Sequence, residues 1–595
     1  MVQMIRQLPD KTISFYLYRC LSIMKNVELS RIFNEMYYML STDEKARFEA
    51  LAYQRASRSI ESMQDDISEI YEKNGIKGLM EIPGVGKGLA EHIKEYLTTG
   101  KITKYEELKH KFPVDFSAFS SMEGFGPKKA MILYEKLGIK NIADLKKAAE
   151  EHKIRDVPGF GEKSEALILK NISMVAATGS RILLSTGLNE ARNIVSYLLA
   201  QKIVSRCEIA GSTRRMRETV GDIDILVISE EPEKVMDLFT EYAGVKSIAV
   251  KGESKTTVLL DIGTTCDLRV IKPGSFGSAL QYFTGSKDHN IKVRKIAIDH
   301  NYKLNEYGLY SGDKNIIEGK NEDAIYRELG MDYVPPEMRE DRGEIELALS
   351  HKIPTLVELS DIRGDLHLHT KESDGMNTTE EMISAGIKKH YQYLAITNHS
   401  KNLKIAHGMD DNEFMEYFKK TDSLADRYNI KILKGAEVDI LIDGNLDLDE
   451  DTLKSMDVVI ASVHMAPNMN TGDMTDRVIS AIKTNMVNIL GHPTGRLINE
   501  RQPFQIDLDE VAKYCYEYKT AMEINASPQR LDLNDENILK TSKYGIYYSI
   551  NTDSHNVYGY DNMELGIGTA RRGWLTKNNI INTMDLNNLI KFLKK

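Results

Sequence analysis

Two carboxylates, Asp222 and Asp224, stand one residue apart inside the apolar run Gly221-Asp-Ile-Asp-Ile-Leu-Val227. Side chains alternate across a β-strand, so both carboxylates would point to the same face. Adjacent acids repel each other, and a divalent cation relieves that repulsion. A turn-forming pair, Gly211 and Ser212, comes shortly before them and has the residue types that hold a phosphate. The spacing therefore predicts metal-dependent chemistry on a nucleotide.

A third acid, Asp267, lies in a later apolar run that begins at Cys266. Another apolar run, which starts at Lys255, comes before it, and Gly263 lies in the turn between the two, which predicts a β-hairpin. The hairpin could bring Asp267 beside the first pair. Three carboxylates can hold two Mg²⁺ ions, which activate an attacking 3′-hydroxyl and neutralise charge on a transferring phosphoryl group. An Asp-x-Asp pair alone is usually a solvated strand edge, so the surrounding motifs decide between the two interpretations.

A second set of candidate residues follows a polar, acid-rich stretch from Pro335 to Glu346. Seven short apolar runs alternate with helical patterns, and each run ends in a metal-capable or polar residue. Alternating strands and helices predict a parallel α/β barrel, in which chemistry sits at the carboxyl ends of the strands. The runs are residues 361–370, 393–399, 432–437, 458–464, 487–492, 521–525 and 547–555.

Histidines concentrate at the ends of these runs. Eight histidines lie beyond residue 360 and six of them fall at predicted strand ends, together with Asp374, Glu437 and Asp553. One such histidine would usually be a hydrogen-bonded core residue, but six that converge with three acids indicate a metal centre. Imidazole and carboxylate together suit Zn²⁺, Mn²⁺ or Fe²⁺. Arg496, four residues after His492, could hold a substrate phosphate.

Glycine turns in the first third of the chain indicate a third kind of site. The pattern Gly-x-Gly occurs at Gly84 and Gly86, at Gly124 and Gly126, and again at residues 159–161. Such a turn exposes backbone N–H groups at a helix N-terminus, which bind phosphate without reading base sequence. Repeated copies followed by lysine resemble helix-hairpin-helix motifs, and the third copy could be purely structural. They predict a helical DNA-binding region.

Length, charge and cysteine content limit the classes of protein. A chain of 595 residues is expected to form several domains. The net charge of -10 argues weakly against nucleic-acid binding, but residues 351–595 carry 28 basic and 36 acidic side chains, so most of the acidity lies there. No apolar run approaches membrane-spanning length, which predicts no membrane partner. Four isolated cysteines, which show no disulfide or metal motif, predict a cytoplasmic protein: Cys20, Cys207, Cys266 and Cys515.

From about Lys25 to Glu344 the order of motifs resembles the family X DNA polymerases. Gly-Ser, Arg-Arg, Gly-Asp-x-Asp, Asp-Leu-Arg and Tyr-Phe-Thr-Gly-Ser follow one another as in that family. The resemblance implies a nucleotide site at Gly211, Ser212, Arg215, Gly221, Tyr282, Phe283, Gly285 and Asn290. It implies catalytic roles for Asp222, Asp224, Asp267 and Arg269, with Mg²⁺ or Mn²⁺ held by the three acids and deoxynucleoside triphosphates as substrates.

The same resemblance implies gapped or nicked DNA as the partner. The residues expected to contact DNA are Gly84, Gly86, Lys87, His92, Gly124, Gly126, Lys128 and Arg294. Two positions depart from the family. Lys287 stands where the animal repair enzyme has an acid, and His92 stands where animal enzymes have a lysine that forms a Schiff base. Imidazole forms no stable imine, so little or no deoxyribose-phosphate lyase activity is expected.

Residues 361–595 resemble the PHP (polymerase and histidinol phosphatase) domain. That likeness implies up to three divalent metals (Mn²⁺, Zn²⁺ or Fe²⁺) and phosphoester hydrolysis. Asn398 departs from the family, which more often has Asp there, and it could tune activity. All nine ligand positions of the family are filled here: His367, His369, Asp374, His399, Glu437, His464, His492, Asp553 and His555.

The predicted fold is multidomain, with a helical helix-hairpin-helix region, an α+β nucleotidyltransferase palm and thumb, and a distorted seven-stranded α/β PHP barrel. The expected function is gap-filling DNA synthesis in repair with 3′–5′ exonuclease or 3′-end processing, by a monomer. Alternatives are a structural, inactive barrel and a nucleotidyltransferase acting on a non-DNA substrate. The predicted segments are an extension or over-long gene start (1–23), a lyase-like helical domain (24–105), a second helical DNA-binding subdomain (106–175), the palm (176–275), the thumb (276–335), a linker (336–360) and the barrel (361–595).

Overall fold

The computed structural model describes residues 26, 28–62, 67–82, 84–116, 119, 126–162, 164–165, 168–169, 181–312, 314–315, 321–425 and 427–594. Two parts of the sequence-based prediction lie outside these residues: the segment 1–23 and Gly124. Among the described residues, no helix combines the length and the apolar character needed to cross a bilayer.

The first third of the chain is helical, as predicted. Residues 28–40 are helical, and the helices after them share one buried core. Gly84 has φ +77°, a conformation that favours glycine, and the chain then enters α3 directly after Gly86. The helices are α1 (Arg47–Ser62), α2 (Ile67–Met80), α3 (Lys87–Thr99), α4 (Thr103–Lys111), α5 (Pro127–Leu137) and α6 (Ile142–Glu150).

A five-stranded mixed sheet forms the palm, in the spatial order β2-β4-β7-β6-β5. β4 pairs in parallel with β7, whereas β6 and β7 form the antiparallel hairpin that the sequence predicts around Gly263. Its strands are β2 (Arg206–Ile209), β4 (Asp222–Ile228), β5 (Val245–Lys251), β6 (Lys255–Leu260) and β7 (Thr265–Val270), while β1 (Ile182–Leu183) pairs with β3 (Thr219–Val220). Its helices are α7 (Leu184–Leu199), α8 (Gly211–Arg214) and α9 (Pro232–Thr240).

The thumb follows with helices and a small antiparallel sheet, β10-β9-β8. Its elements are α10 (Phe276–Thr284), α11 (Lys287–Asp299), β8 (Lys303–Asn305), β9 (Gly308–Ser311), β10 (Lys314–Asn315) and α12 (Asp323–Glu328). The segment 336–360, expected to be a linker, contains α13 (Glu344–Leu349) and packs closely on the thumb. Arg339 and Glu344 are fully buried there, because Arg339 pairs with Glu322 at 2.7 Å and Glu344 with His289 at 2.8 Å.

The rest of the chain forms a barrel of seven parallel strands that neighbour one another in sequence order, β11 to β17, which confirms the predicted alternation. A parallel bridge between Leu368 and Ser554 brings the first and last strands together. The strands are β11 (Gly364–Asp365), β12 (Tyr393–Ile396), β13 (Lys431–Asp439), β14 (Val458–Ser462), β15 (Ile489–Leu490), β16 (Ala521–Asn525) and β17 (Tyr548–Asn551). The helices are α14 (Thr379–Lys388), α15 (Asp411–Ala425), α16 (Glu450–Lys454), α17 (Thr471–Lys483), α18 (Leu508–Glu517), α19 (Asp535–Ser542), α20 (Met563–Arg572) and α21 (Leu586–Leu593).

Palm and barrel share an interface with an apolar part and an ionic part. Ile498, Leu531 and Leu565 of the barrel are buried in the same hydrophobic cluster as the palm core. Beside them, Arg572 of α20 donates to the carbonyl oxygen of Arg215 at 2.8 Å and pairs with Glu340 at 2.9 Å. The barrel is therefore packed directly against the domain that carries Asp222 and Asp224.

Candidate active sites

The three palm acids meet at the amino-terminal ends of one parallel strand pair. Asp224 of β4 lies directly opposite Asp267 of β7 in the parallel register. Between the two acids of β4, Ile223 is fully buried while Asp222 is exposed, so Asp222 and Asp224 lie on the same face as predicted. The hairpin of β6 and β7 thus brings the third acid beside the first two.

Their charges are only partly balanced. Lys255 Nζ lies 2.8 Å from Asp267 Oδ2, and Thr257 donates to the other oxygen of Asp267 at 2.5 Å. Burial, together with the charges of Asp222 and Asp267, raises the pKa of Asp224 to about 7. A carboxyl group with this pKa needs a cation before it is fully ionised at neutral pH, which fits a divalent-metal site.

The predicted phosphate turn packs directly onto these acids. Gly211 has φ +62°, and a Cβ atom there would collide with Oδ2 of Asp224, so both the backbone conformation and the space require glycine. Ser212 is the second residue of α8, and its buried Oγ has no hydrogen-bond partner among the described residues. The turn therefore presents an unpaired hydroxyl next to the carboxylates.

A cleft of about 760 Å³ opens over the acids. It is lined by Asp222, Asp224, Arg294 and the predicted nucleotide-binding residues Gly211, Ser212, Arg215, Tyr282, Phe283, Gly285 and Asn290. Sequence reasoning missed three cations in its wall or left them without a role: Arg181, Arg217 and Lys287. These three residues are far apart in the sequence and follow no helix or strand periodicity. Only the family resemblance or the fold could therefore show that they line the cleft.

The remaining predicted palm residues border the cleft. The Arg269 guanidinium stacks over the Phe283 ring at 4.5 Å and lies 3.4 Å from Asp267 Oδ2. Gly221 precedes β4, and a Cβ atom there would lie 2.8 Å from an Arg181 nitrogen. Both residues therefore adjoin side chains that line the cleft: Arg269 packs on Phe283, and Gly221 lies beside Arg181.

Two cleft residues already have internal partners. Arg215 donates to the Thr284 carbonyl oxygen at 2.5 Å and pairs with Glu340 at 3.1 Å. The Asn290 side chain donates to the Tyr282 carbonyl oxygen at 2.7 Å. Their predicted contacts with nucleotide and DNA would require these side chains to share or exchange partners.

The glycine turns of the helical region have the predicted geometry where they are described. No side chain caps α3 after Gly86, so its first N–H groups remain available for an anion. The second turn is described only from Gly126, which precedes α5 and Lys128. His92 lies on α3, and its Nδ1 is 2.9 Å from the Tyr53 hydroxyl. Burial and the charge of Lys104 lower the pKa of His92.

Eight of the nine predicted barrel ligands fall into three overlapping groups in which the candidate ligand atoms lie within 4.8 Å of one another. The groups are His369, Asp374, His399 and His555; His367, His369 and Asp553; and His399, Glu437 and His464. The ninth, His492, contacts Glu437 through Nε2 at 2.8 Å. All these residues follow or end strands of the barrel, as expected for such folds.

The donor atoms of the cluster fit divalent metals. Nε2 of His367, both ring nitrogens of His369 and Nδ1 of His399 are buried and make no hydrogen bond in the described structure. Burial and the charges of His555 and His399 lower the pKa of His369 to about 4, so this imidazole is neutral and able to bind a metal. Orphaned imidazole nitrogens that face carboxylates are what a polynuclear N,O site requires.

Two further carboxylates orient these histidines, and sequence reasoning missed both. Glu523 accepts from His367 Nδ1 at 2.7 Å, and Asp439 lies 2.5 Å from His464 Nδ1. Each contact fixes the ring so that Nε2 faces the cluster. Both residues could have been found in the sequence, because each is an acid flanked on both sides by apolar residues. Asn398, which stands where the PHP family more often has Asp, accepts from the Thr370 backbone N–H at 2.9 Å and so stabilises the loop after β11.

Arg496, predicted to hold a substrate phosphate, already has partners within the protein. It pairs with Glu218 of the palm at 2.6 Å and donates to the carbonyl oxygens of Arg530 and Leu531 at 2.9 and 2.7 Å. Its guanidinium therefore bridges barrel and palm and holds a loop. Phosphate binding by Arg496 remains a prediction.

Four family models match the chain. A helix-hairpin-helix domain matches residues 24–102, and a SAM-like helix-hairpin-helix tandem matches residues 116–172. The DNA polymerase beta thumb matches residues 279–340, and the PHP domain matches residues 365–527. A solved structure of Leishmania infantum polymerase beta in a ternary P/T complex is 24% identical, with a TM-score of 0.25, and covers 38% of this chain and 97% of that one.

Curated relatives cover both halves. The DNA polymerase/3′-5′ exonuclease PolX of Bacillus subtilis is 37% identical over 552 residues, which is 92% of this chain and 95% of that protein. A probable phosphatase of Thermoanaerobacter sp. is 29% identical over 39% of this chain and 94% of its own length. One from Caldicellulosiruptor bescii is 33% identical over 32% of this chain and 79% of its own length. The chain therefore belongs to the PolX family, the family X DNA polymerases that carry a carboxyl-terminal PHP domain.

Proposed function

We propose that the chain is a DNA-directed DNA polymerase that fills short gaps in repair, with a PHP barrel that processes 3′ ends. The observation that carries the polymerase assignment is the meeting of Asp222, Asp224 and Asp267 beneath a cleft lined by cations and aromatic rings. Nucleotidyl transfer requires this combination, because the triphosphate needs positive charge and the reacting oxygens need divalent cations.

Each side of the cleft has a role in this proposal. Ser212 and the cations Arg181, Arg217 and Lys287 bind the triphosphate, and Ser212 supplies a donor that is otherwise unpaired. Tyr282 and Phe283, whose rings lie 5.1 Å apart, form the wall under the sugar. The three acids hold Mg²⁺ or Mn²⁺, which stabilises charge on the transferring phosphoryl group when bound.

For the barrel we propose 3′–5′ exonuclease or 3′-phosphoesterase activity. The nine residues His367, His369, Asp374, His399, Glu437, His464, His492, Asp553 and His555 hold up to three ions of Mn²⁺, Zn²⁺ or Fe²⁺. Bound metal would supply Lewis acidity and lower the pKa of water. Glu523 and Asp439 keep the histidine rings in the ligand-ready orientation. The orphaned imidazole nitrogens support this assignment over an inactive barrel.

Gapped or nicked DNA and deoxynucleoside triphosphates are the proposed partners, with the protein acting as a cytoplasmic monomer. Gly86 and Lys87 at the start of α3, and Gly126 and Lys128 at the start of α5, would hold DNA phosphates. Arg294, on the wall of the cleft, would meet the template or the nascent pair. A nucleotidyltransferase for a non-DNA substrate would not need two such helix N-termini.

One assay separates these functions. A gapped duplex with a labelled primer is incubated with the full chain and Mg²⁺ or Mn²⁺, with and without nucleotides. We expect extension to the end of the gap with nucleotides and 3′ shortening without them. Extension without shortening, in protein loaded with metal, would favour a structural barrel. Failure to extend any DNA primer would favour the non-DNA nucleotidyltransferase.

A further inference from the structure

An arginine that is not among the predicted metal ligands lies beside the barrel cluster. Arg530 lies on the loop after β16, and its Nε is 3.7 Å from Asp553 Oδ2. The side chain is 18% exposed, and its Nη1 is buried without a hydrogen-bond partner among the described residues. The guanidinium is thus at the metal cluster, mostly removed from water and incompletely paired.

A buried guanidinium N–H without an acceptor is disfavoured, so an acceptor is expected at this place when the site is occupied. Within the cluster, Asp553 turns Oδ1 towards His369 at 3.2 Å, while Oδ2 faces Arg530 and accepts from Asn525 at 3.0 Å. Arg530 therefore approaches Asp553 at the oxygen that the imidazoles do not contact.

The loop that carries Arg530 is held rigidly. The Arg530 backbone donates to the Ser527 carbonyl oxygen at 2.9 Å, and the Ser527 backbone donates to Asn525 at 3.0 Å. From the other side, Arg496 donates to the carbonyl oxygens of Arg530 and Leu531. A loop fixed at both sides can present a guanidinium in one position, which favours recognition of a planar or tetrahedral anion.

We propose that Arg530 binds a non-bridging oxygen of the substrate phosphoryl group at the barrel site, and that Arg496 is a positioning residue that holds the Arg530 loop. The ligand class is a phosphodiester or phosphomonoester at a nucleic-acid 3′ end, which rests on the proposed barrel function. Guanidinium suits this task because its fork of donors matches two phosphate oxygens and it stays charged at every relevant pH.

The test uses the full chain loaded with Mn²⁺ and two readouts. The first is KM and kcat for removal of the 3′ nucleotide from a labelled oligonucleotide. The second is direct calorimetric binding of inorganic phosphate, which needs no turnover. For Arg530→Ala we expect KM and the phosphate Kd to rise about tenfold or more, about 1.4 kcal/mol at tenfold. Added guanidinium should restore part of the binding to this variant.

Controls separate this effect from misfolding. Arg530→Lys keeps the charge but loses the fork, and we expect an intermediate Kd and no rescue by guanidinium. Arg427→Ala removes an exposed arginine before β13, at the opposite end of the barrel from Glu437, and should leave both readouts unchanged. Metal content and primer extension should match wild type in all three variants. Arg496→Gln should weaken phosphate binding less than Arg530→Ala.

Two results would overturn the proposal. The first is an unchanged phosphate Kd and KM in Arg530→Ala with full metal content. The second is loss of bound metal in that variant, which would make Arg530 a support for Asp553 and not a phosphate ligand. If wild type shortens no 3′ end, the proposed barrel function fails, yet phosphate binding still decides the role of Arg530. If metal-loaded wild type binds no phosphate either, both fail.

Discussion

The palm acids and the barrel ligands differ in what surrounds their carboxylates. In the palm, Asp224 has two acids as neighbours, and burial with these charges raises its pKa to about 7. In the barrel, burial also opposes ionisation of Asp553, but the charges of His367 and His555 hold its pKa well below the ordinary value. The carboxylates of the palm therefore repel one another, whereas the negative charge of the barrel carboxylates is compensated by neighbouring imidazoles.

This difference predicts how each site handles metal. An open cleft whose acids are only partly balanced by nearby cations gains most when a metal ion arrives together with a phosphate, so the palm should exchange its ions with each nucleotide. The barrel ligands are largely buried and preorganised by Glu523 and Asp439, so the barrel should keep its ions between turnovers. We therefore expect a transient metal site in the palm and a resident one in the barrel.

The largest effect should come from removing a palm carboxylate. Asp222→Asn, Asp224→Asn or Asp267→Asn should each lower primer extension about a thousandfold, because charge stabilisation of the phosphoryl group is lost. DNA binding and 3′ hydrolysis should persist. Asp261→Asn, an exposed acid in the turn after β6, is the matched control. Near-normal extension by Asp267→Asn would remove that residue from the proposed triad.

The next largest effect should be the loss of 3′ hydrolysis when a barrel ligand is removed. His367→Ala or Asp553→Ala should lower 3′ hydrolysis about a hundredfold or more and leave extension largely intact, since the sites lie in separate domains. His390→Asn is the matched control, because His390 is exposed before β12 at the opposite end of the barrel and Asn tolerates its φ of +60°. Parallel loss of extension would show that the two sites are coupled.

The sequence predicts these sites well where the chemistry follows local order. Ligands that end consecutive parallel strands must meet at one end of a barrel, so the run from His367 to His555 is sufficient to predict the cluster. A hairpin around Gly263 is sufficient to bring Asp267 towards Asp224. The roles of individual residues come from the likeness to known families. The structure supports their proximity, through the strand register in the palm and the grouped ligand atoms in the barrel.

Residues that act across long sequence separations could not be predicted in this way. Arg496 contacts Glu218 of another domain, and Arg572 contacts Arg215 and Glu340. No periodicity in the sequence encodes such pairs. The polar, acid-rich stretch from Pro335 to Glu346 led to the prediction of a linker over 336–360, but burial against Glu322 and His289 places Arg339 and Glu344 in the interior.

Metal retention should sharpen the comparison between the sites. After gel filtration without free metal, wild type and Asp224→Asn should hold similar amounts of Mn²⁺, whereas His367→Ala should hold at least about one ion less per chain. Elemental analysis of the purified proteins measures this. Equal metal contents in Asp224→Asn and His367→Ala, both below wild type, would contradict the assignment of transient and resident sites.

A smaller effect should appear in the pH dependence of the palm. Because the pKa of Asp224 is raised to about 7, a proton competes with metal at this carboxylate below that pH. We expect Mg²⁺ affinity in the presence of nucleotide to be nearly constant above pH 8 and to fall up to about tenfold per unit below pH 7. Titration calorimetry in buffers of different ionisation enthalpy should detect proton release near pH 7, and Asp224→Asn should abolish it.

The smallest expected signal is covalent trapping at the helical region. His92 cannot form an imine with a 5′-deoxyribose phosphate, and its Nδ1 is already paired with the Tyr53 hydroxyl at 2.9 Å. Lys94 lies about 200° around α3 from His92, so it faces elsewhere. Lys104, whose Nζ lies 5.8 Å from the Tyr53 ring centroid, is paired with Glu49. Borohydride treatment of protein with such a substrate should therefore give almost no adduct, and Tyr53→Phe should change that little. An efficient adduct that disappears in Lys104→Ala would contradict this and assign lyase chemistry to a residue on the neighbouring helix.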